Sequence, residues 1–309
     1  MAQEASYPRD LVGYGRHRPE ASWPGGAKVA VSFVLNYEEG GERSVLDGDP
    51  HAENYLTPDF VGLPAVPGRN TFAEDVFEYG SRAGFWRVLD VFAERHLLFT
   101  AWAVGLALKR NPEAARAMTE AGHEVASHSW RWIDYSGVNE EQERADIRAT
   151  VATIRELTGA TPLGWYTGRY SANTRRLVME ETETIYDSDA YNDDLPYYVL
   201  VQGQPRLILP YALDTNDFKF AMSPGWMSAE DFFAYLRLAF DRLYKEGERE
   251  PKMMSIGLHA RLVGRPGRAE ALSRFMDYIL SYERVWICKR AEIAMHWLRT
   301  HPFSAAESR

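Results

Sequence analysis

Two segments of this chain carry side chains suited to hydrolysis. Glu38-Glu39 places two carboxylates side by side just after an apolar run, and His128-Ser129-Trp130-Arg131-Trp132 offers an imidazole. An H-S-x-x-H segment would bring two imidazoles to one metal ion. Here the last position is Trp132, whose indole nitrogen has no lone pair to give. A carboxylate near an imidazole can still activate water as a general base. Adjacent residues of an extended segment point opposite ways, so only one of Glu38 and Glu39 faces a site at a time. His259 closes another apolar run and is a second imidazole for orienting water or donating a proton. Each has a plainer alternative: a solvated acidic loop for the glutamates, hydrogen-bonded structure for the histidines. Asp194, within Asp193-Asp194-Leu195-Pro196-Tyr197, either sits in a turn, which Asp and Pro favour, or orients a catalytic partner. Arg169 either contacts a substrate carbonyl or pairs with an acid. Trp130, Trp132, Trp165 and Tyr166 read as core or pocket wall. His123 precedes the same strand as His128 and belongs to the opposite rim.

The elements that position these groups alternate along the chain. Residues 27–35 are apolar and rich in β-branched side chains, as in a buried strand. A long Gly- and Pro-bearing stretch follows, about 40–79, of the kind that is functional or forms subunit contacts. Apolar spacing predicts a helix over 81–96 and a strand over 97–104. The pattern continues with helices over 111–121, 139–158, 174–182, 228–247, 266–281 and 291–300. The strands between them are expected at 123–127, 163–166, 184–187, 206–209, 253–258 and 285–287. Asn111-Pro112 and Ser228 with Glu230 and Asp231 are helix-start signals. Strand–helix alternation argues for an α/β fold with a parallel sheet, and six to eight units in one domain argue for a barrel. The candidate groups fall just past the C-terminal ends of these strands, the rim where such barrels carry their sites.

Composition limits the partners. With 35 Lys and Arg against 44 Asp and Glu, the formal charge is −9, which argues against a nucleic-acid surface or an anionic polymer substrate. Cys288 is the sole cysteine, so no internal disulfide forms. No run approaches the roughly 18 apolar residues of a membrane span. The polar first 26 residues lack the apolar core of a signal peptide, so a cytoplasmic enzyme is expected.

Together these residues resemble the polysaccharide deacetylase superfamily, carbohydrate esterase family 4 and its relatives, over about 27–297. Asn36-Tyr37-Glu38-Glu39-Gly40 matches that family's T-F-D-D-G motif, His128 to Trp132 its H-S/T-x-x-H box, and Leu258-His259 its late L-H motif. Trp165 to Asn173 lies over its F-R-P-P-Y-G-x-x-N loop, with Tyr166 in place of the usual Arg and Arg169 in place of the usual Tyr. The strings N-Y-E-E-G-G-E-R, R-W-I-D-Y, G-W-Y-T-G-R, N-T-R-R-L-V-M-E-E, D-D-L-P-Y, L-D-T-N-D and S-I-G-L-H-x-R-L look like one branch, the metal-independent allantoinases. The resemblance implies a single distorted (β/α)₇ barrel domain, with an extension at about 1–26, that opens the hydantoin ring of allantoin. It implies a small ureide or cyclic amide as partner and a homo-oligomer, a tetramer. Glu38, Glu39, His128, His259 and Asp194 are the expected catalytic residues. Glu38 stands in the place of the base, Glu39 in that of the metal-binding acid, and the Arg169 amide in that of the oxyanion donor. Trp132, Trp165, Tyr166, Arg169 and Tyr170 are expected around the substrate. No metal or other cofactor is expected, the alternative being zinc on Glu39 and His128 in a deacetylase of N-acetylated sugars.

Overall fold

The computed structural model describes residues 9–54 and 68–304. Strand β1 (Val29–Tyr37) is buried along all nine residues, as its apolar run requires. On one side it pairs in parallel with β8 (Lys252–His259), from Val29↔Lys252 to Asn36↔His259. On the other side its second half pairs with β2 (Thr100–Ala103) and its first half with β9 (Val285–Ile287), both parallel. The sheet continues through β3 (Glu124–Ser127), β4 (Gly164–Trp165), β5 (Tyr186–Asp187) and β7 (Gln204–Ile208), all parallel neighbours in that order. It ends on β6 (Tyr197–Val201), antiparallel to β7. This is a curled, mostly parallel sheet wrapped by helices, the barrel that the alternation predicts, distorted as the family resemblance implies.

β1 separates two packing regions. Val31, Phe33 and Leu35 join Phe85, Phe92, Phe240 and Phe275 in a cluster shared with the outer helices. Ala30 and Val34 join Trp102, Tyr166, Tyr186 and Tyr211 in a second cluster. Burial of each such side chain contributes about 1.5–3 kcal/mol, which makes this double layer the main source of stability. Arg290 is buried beside the second cluster. Its Nη2 donates to Ser188 Oγ and to the Leu209 and Pro210 carbonyls. Trp23 donates through Nε1 to the Lys252 carbonyl and packs on Trp286, His296 and Trp297. The extension expected at 1–26 is thus partly structural, its last residues packed at the start of β8.

The helices are α1 (Thr71–Tyr79), α2 (Phe85–Ala93), α3 (Gly105–Arg110), α4 (Pro112–Glu120), α5 (Glu140–Thr158), α6 (Thr174–Glu181), α7 (Ala229–Glu246), α8 (Pro266–Leu280) and α9 (Arg290–Thr300). Ser228 caps α7 with a reciprocal bond to Asp231, as its sequence signal predicts. Among the described residues no helix is long and apolar enough to cross a membrane.

Three expectations are corrected. The loop expected at about 40–79 contains α1, capped by Asn70, whose side chain accepts from Ala73 N–H; residues 55–67 of that stretch lie outside the described residues. α1 and α2 are joined by one π turn, Gly80–Gly84, so the helix expected from residue 81 begins ten residues earlier in two pieces. The hairpin β6–β7 turns through Gln202 and Gly203, both at positive φ, which the aromatic run Tyr197-Tyr198 after the acidic turn obscured.

The sheet closes by a seam rather than a ladder. Residues 209–217 lead away from β7 beside β8, where Thr215 Oγ1 donates to the Ser255 carbonyl at 2.6 Å and Gly257 N–H donates to the Thr215 carbonyl at 3.2 Å. The other close approach is between the π turn and the turn after β8. A methyl group on Gly84 would overlap the Ala260 carbonyl, and one on Gly264 would meet both Ala260 and Gly84. Gly84→Ala is therefore expected to cost roughly 1–3 kcal/mol of stability by overpacking. Chemical denaturation of the variant beside the parent measures this.

Candidate active site

Glu38 follows β1 directly and is 1% exposed. The Asn36↔His259 register sets it beside the end of β8. Its Oε1 lies 3.2 Å from His128 Nε2 and 3.5 Å from His259 Nε2. Its Oε2 lies 2.7 Å from Arg261 Nη2. Both rings are held from behind. His128 Nδ1 is 3.1 Å from the Tyr166 carbonyl, and so donates to it. His259 Nδ1 is 2.6 Å from Asp217 Oδ1. Each Nε2 therefore points at the same carboxylate oxygen of Glu38.

Asp217 is fixed in turn. Its Oδ2 accepts from the backbone N–H groups of His259 and Val263, at 2.8 and 3.0 Å. Burial opposes charge on His259, but Glu38 and Asp217 outweigh it and lift the imidazole to about 9. Burial would likewise raise the Glu38 carboxyl, yet Arg261, His259 and His128 hold it well below the usual range. Glu39 goes the other way: burial lifts it to about 7, opposed by Arg261 and assisted by Glu38. Its oxygens accept from the Glu38 and Arg261 N–H groups, at 3.0 and 3.2 Å. A side chain on Gly80 would overlap this carboxylate, so the π turn bears on it directly. Two neighbouring acids thus have opposite electrostatics, the arrangement by which a site separates its proton-transfer roles.

The His128 box turns sharply. Ser129 takes φ 61°, the left-handed region that costs a non-glycine residue energy, and its hydroxyl meets Thr167 Oγ1 at 3.1 Å. Trp132 is buried, with the Arg169 guanidinium 3.9 Å from its ring centre and that of Arg261 at 5.1 Å. Arg169 also pairs with Glu53 at 3.2 Å. The loop entered at Tyr166 is pinned by Asp189, which accepts from the Thr167 and Gly168 N–H groups at 2.7–3.0 Å. Burial and the neighbouring Asp187 raise Asp189 to about 7.

The structure brings Glu38, Glu39, His128 and His259 together, with Trp132 beside them and Arg169 against Trp132. It does not bring Asp194. The Asp194 carbonyl accepts from Met253 N–H, six residues before His259 on β8, about 20 Å along the strand. Its side chain instead lines a cavity of about 380 Å³ at the seam, with Asp214, Tyr235 and Arg242. The aspartate that meets His259 is Asp217. Trp165 is not a pocket wall either: it is fully buried against Ile147, Leu177 and Val178, its Nε1 bonded to Thr167 Oγ1. Tyr166 is buried inside, against Trp102 and His128, while Tyr170 is half-exposed at the surface. Sequence reasoning missed Asp217, Arg261, Asp189 and Glu53. The first two lay in strings already notable, L-D-T-N-D and L-H-x-R-L; nothing in the sequence marked the others.

Residues 74–186 match the polysaccharide deacetylase family model. A Schizosaccharomyces pombe protein named as a polysaccharide deacetylase is 46% identical over 316 residues, covering 96% of this chain and 99% of that one. The chain belongs to the polysaccharide deacetylase family. The crystal structure of the PuuE allantoinase superposes with a TM-score of 0.94 at 51% identity, covering 97% of this chain and all of that one. A Pseudomonas aeruginosa PAO1 structure, named as a polysaccharide deacetylase, gives 0.93 at 52%, covering 96% and 100%. As a member, this chain is a hydrolase of carbon–nitrogen bonds.

A divalent metal fits this member poorly. Trp132 supplies no donor, Glu39 is engaged by two N–H groups, and the Arg261 cation already faces both glutamates. Among the described residues no three His, Cys, Asp or Glu side chains converge as a metal site.

His259 also makes stability pH-dependent. Its folded value of about 9 lies above the ordinary 6.5, so folding retains a proton. That contribution is complete below pH 6.5 and is lost as pH rises to about 9, at up to about 1.4 kcal/mol per pH unit. Denaturation midpoints of the parent should fall across this window, and those of His259→Asn should fall less.

Proposed function

We propose that this chain opens the hydantoin ring of allantoin to allantoate by hydrolysis of a ring C–N bond, without a metal. The observation that carries the reading is the convergence of two oriented imidazoles and a guanidinium on one buried carboxylate. That arrangement contains a base, a proton donor and a fixed positive charge. The likeness to the PuuE allantoinase over nearly the whole chain supports the choice of substrate. So does the enclosure of the site, whose central groups are buried, as suits a small planar ring rather than a polymer strand.

In this mechanism Glu38 takes a proton from water, whose oxygen bonds to the ring carbonyl carbon. The carbonyl oxygen becomes an oxyanion, received by the Arg169 amide as the family motif implies. When the C–N bond breaks, the protonated His259 gives its proton to the leaving nitrogen and Asp217 stabilises the charged ring. His128, in direct contact with Glu38 Oε1, orients the carboxylate that takes this proton. Glu39 keeps the floor of the site closed through its two backbone bonds.

The second reading is a metal-dependent deacetylase of N-acetylated sugars, favoured by the names of the S. pombe and P. aeruginosa relatives. One comparison separates the two: allantoin and an N-acetylglucosamine oligomer, each assayed with and without EDTA. Ring opening that persists in EDTA is expected; sugar deacetylation restored by zinc would overturn the proposal. Glu38→Gln should lower kcat for allantoin by about 10²–10⁴-fold with the fold intact. Above pH of about 9 the parent's kcat should decline as His259 loses its proton.

A further inference from the structure

Arg261 is the most deeply enclosed charged group at the site, 0% exposed. A buried guanidinium usually spends its five N–H groups on acceptors. Arg290, equally buried, places both Nη groups on two hydroxyls and two carbonyls and leaves only Nε unpaired. Arg261 does not: its Nε, Nη1 and Nη2 make no hydrogen bond among the described residues, and neither does Glu38 Oε2. Nη2 approaches Glu38 Oε2 at 2.7 Å and Nη1 approaches Glu39 Oε1 at 3.7 Å, as contacts of charge rather than aligned bonds. Beside these charges, two aromatic rings flank the group. Phe77 lies 4.3 Å and Trp132 5.1 Å from its central carbon, contacts that use no N–H. Its backbone is fixed too, between His259 and the turn that packs on Gly84. A desolvated cation whose Nε and Nη1 are uncommitted and whose Nη2 faces only the Glu38 carboxylate, itself aimed at by two imidazoles, is prepared for an oxygen that the free protein lacks.

We infer that Arg261 is a catalytic residue whose N–H groups, together with the Arg169 amide, receive the carbonyl oxygen of the scissile ring amide, supplying the positive charge that a divalent metal would supply to a family member with a complete donor set. The assignment rests on the ring-opening reading and deepens it. Trp132 then has a definite function: where a second imidazole would bind metal, it forms a shelf for the guanidinium. The proton flow is unchanged. Water gives one proton to Glu38, His259 gives one to the leaving nitrogen, and Arg261 gains or loses none. As its N–H groups turn to the oxyanion, Arg261 releases Glu38 from part of its countercharge, so the base strengthens as the substrate binds.

The test uses full-length Arg261→Met and Arg261→Lys, assayed on allantoin from about pH 6 to 9. The fork is lost in both and the charge is kept in the second. Expected are a fall in plateau kcat of about 10³-fold in Arg261→Met and at least about tenfold in Arg261→Lys, with KM within a few-fold of the parent. A purely positioning arginine would leave the plateau intact and shift only its acid limb, so a plateau within tenfold of the parent in Arg261→Met at any pH would overturn the assignment. Should Arg261→Met not fold, Arg261→Lys alone decides, full activity there overturning it. A parent inert to allantoin would sink the ring-opening reading instead. Calorimetric binding of formate then decides on Arg261 itself: binding at least tenfold weaker in the variant supports the assignment, and equal binding overturns it.

Discussion

The contact on which this structure turns is the one between Glu38 and Arg261. Two carboxylates and a guanidinium are taken out of water within a few ångströms of each other, and two imidazoles face the same oxygen. Desolvating an ion costs several kcal/mol, repaid only where opposite charges and hydrogen bonds surround it. Every support described above serves that balance. Asp217 compensates His259, the backbone of Arg261 compensates Glu39, and Phe77 with Trp132 flank the cation. Truncating one member would leave the others uncompensated, so these residues act as one unit. Their separate contributions are not additive.

The packing of the barrel follows from this cluster as much as it creates it. Glu38 and His259 belong to neighbouring strands in register, and Arg261 begins the turn after β8. That turn can reach the glutamates only because the π turn before α2 presents Gly80 and Gly84 where side chains would block it. The π turn is a departure from regular helix that carries both of these glycines. Such departures are known to gather at functional sites.

Much of this was legible in the sequence because strand ends in an α/β barrel share one rim. An apolar run followed by Glu-Glu, another by His128 and a third by His259 suffice to place four reactive groups together. Asp194 failed for the reason the others succeeded: it stands beside no strand end, but on the turn into an antiparallel hairpin that the aromatic pattern hid. Trp165 failed because an aromatic residue at the end of a two-residue strand can face helices or centre, and period alone does not say which. Asp217 and Arg261 were out of reach by a different logic. Each acts through a partner distant in the chain or by a turn whose direction only packing fixes. The metal question sits between these cases. The absence of a second imidazole is visible in the sequence; the guanidinium beside its replacement is visible only in space.

The seam deserves a last consequence. Asp217, which aims His259, is carried on the segment that closes the sheet beside β8, where Thr215 and Gly257 supply a few bonds in place of a ladder. The barrel is therefore latched at the spot from which the His259 ring is aimed. A change that loosened the latch would act on the segment that fixes the imidazole, so closure of the sheet and orientation of that ring share a single joint.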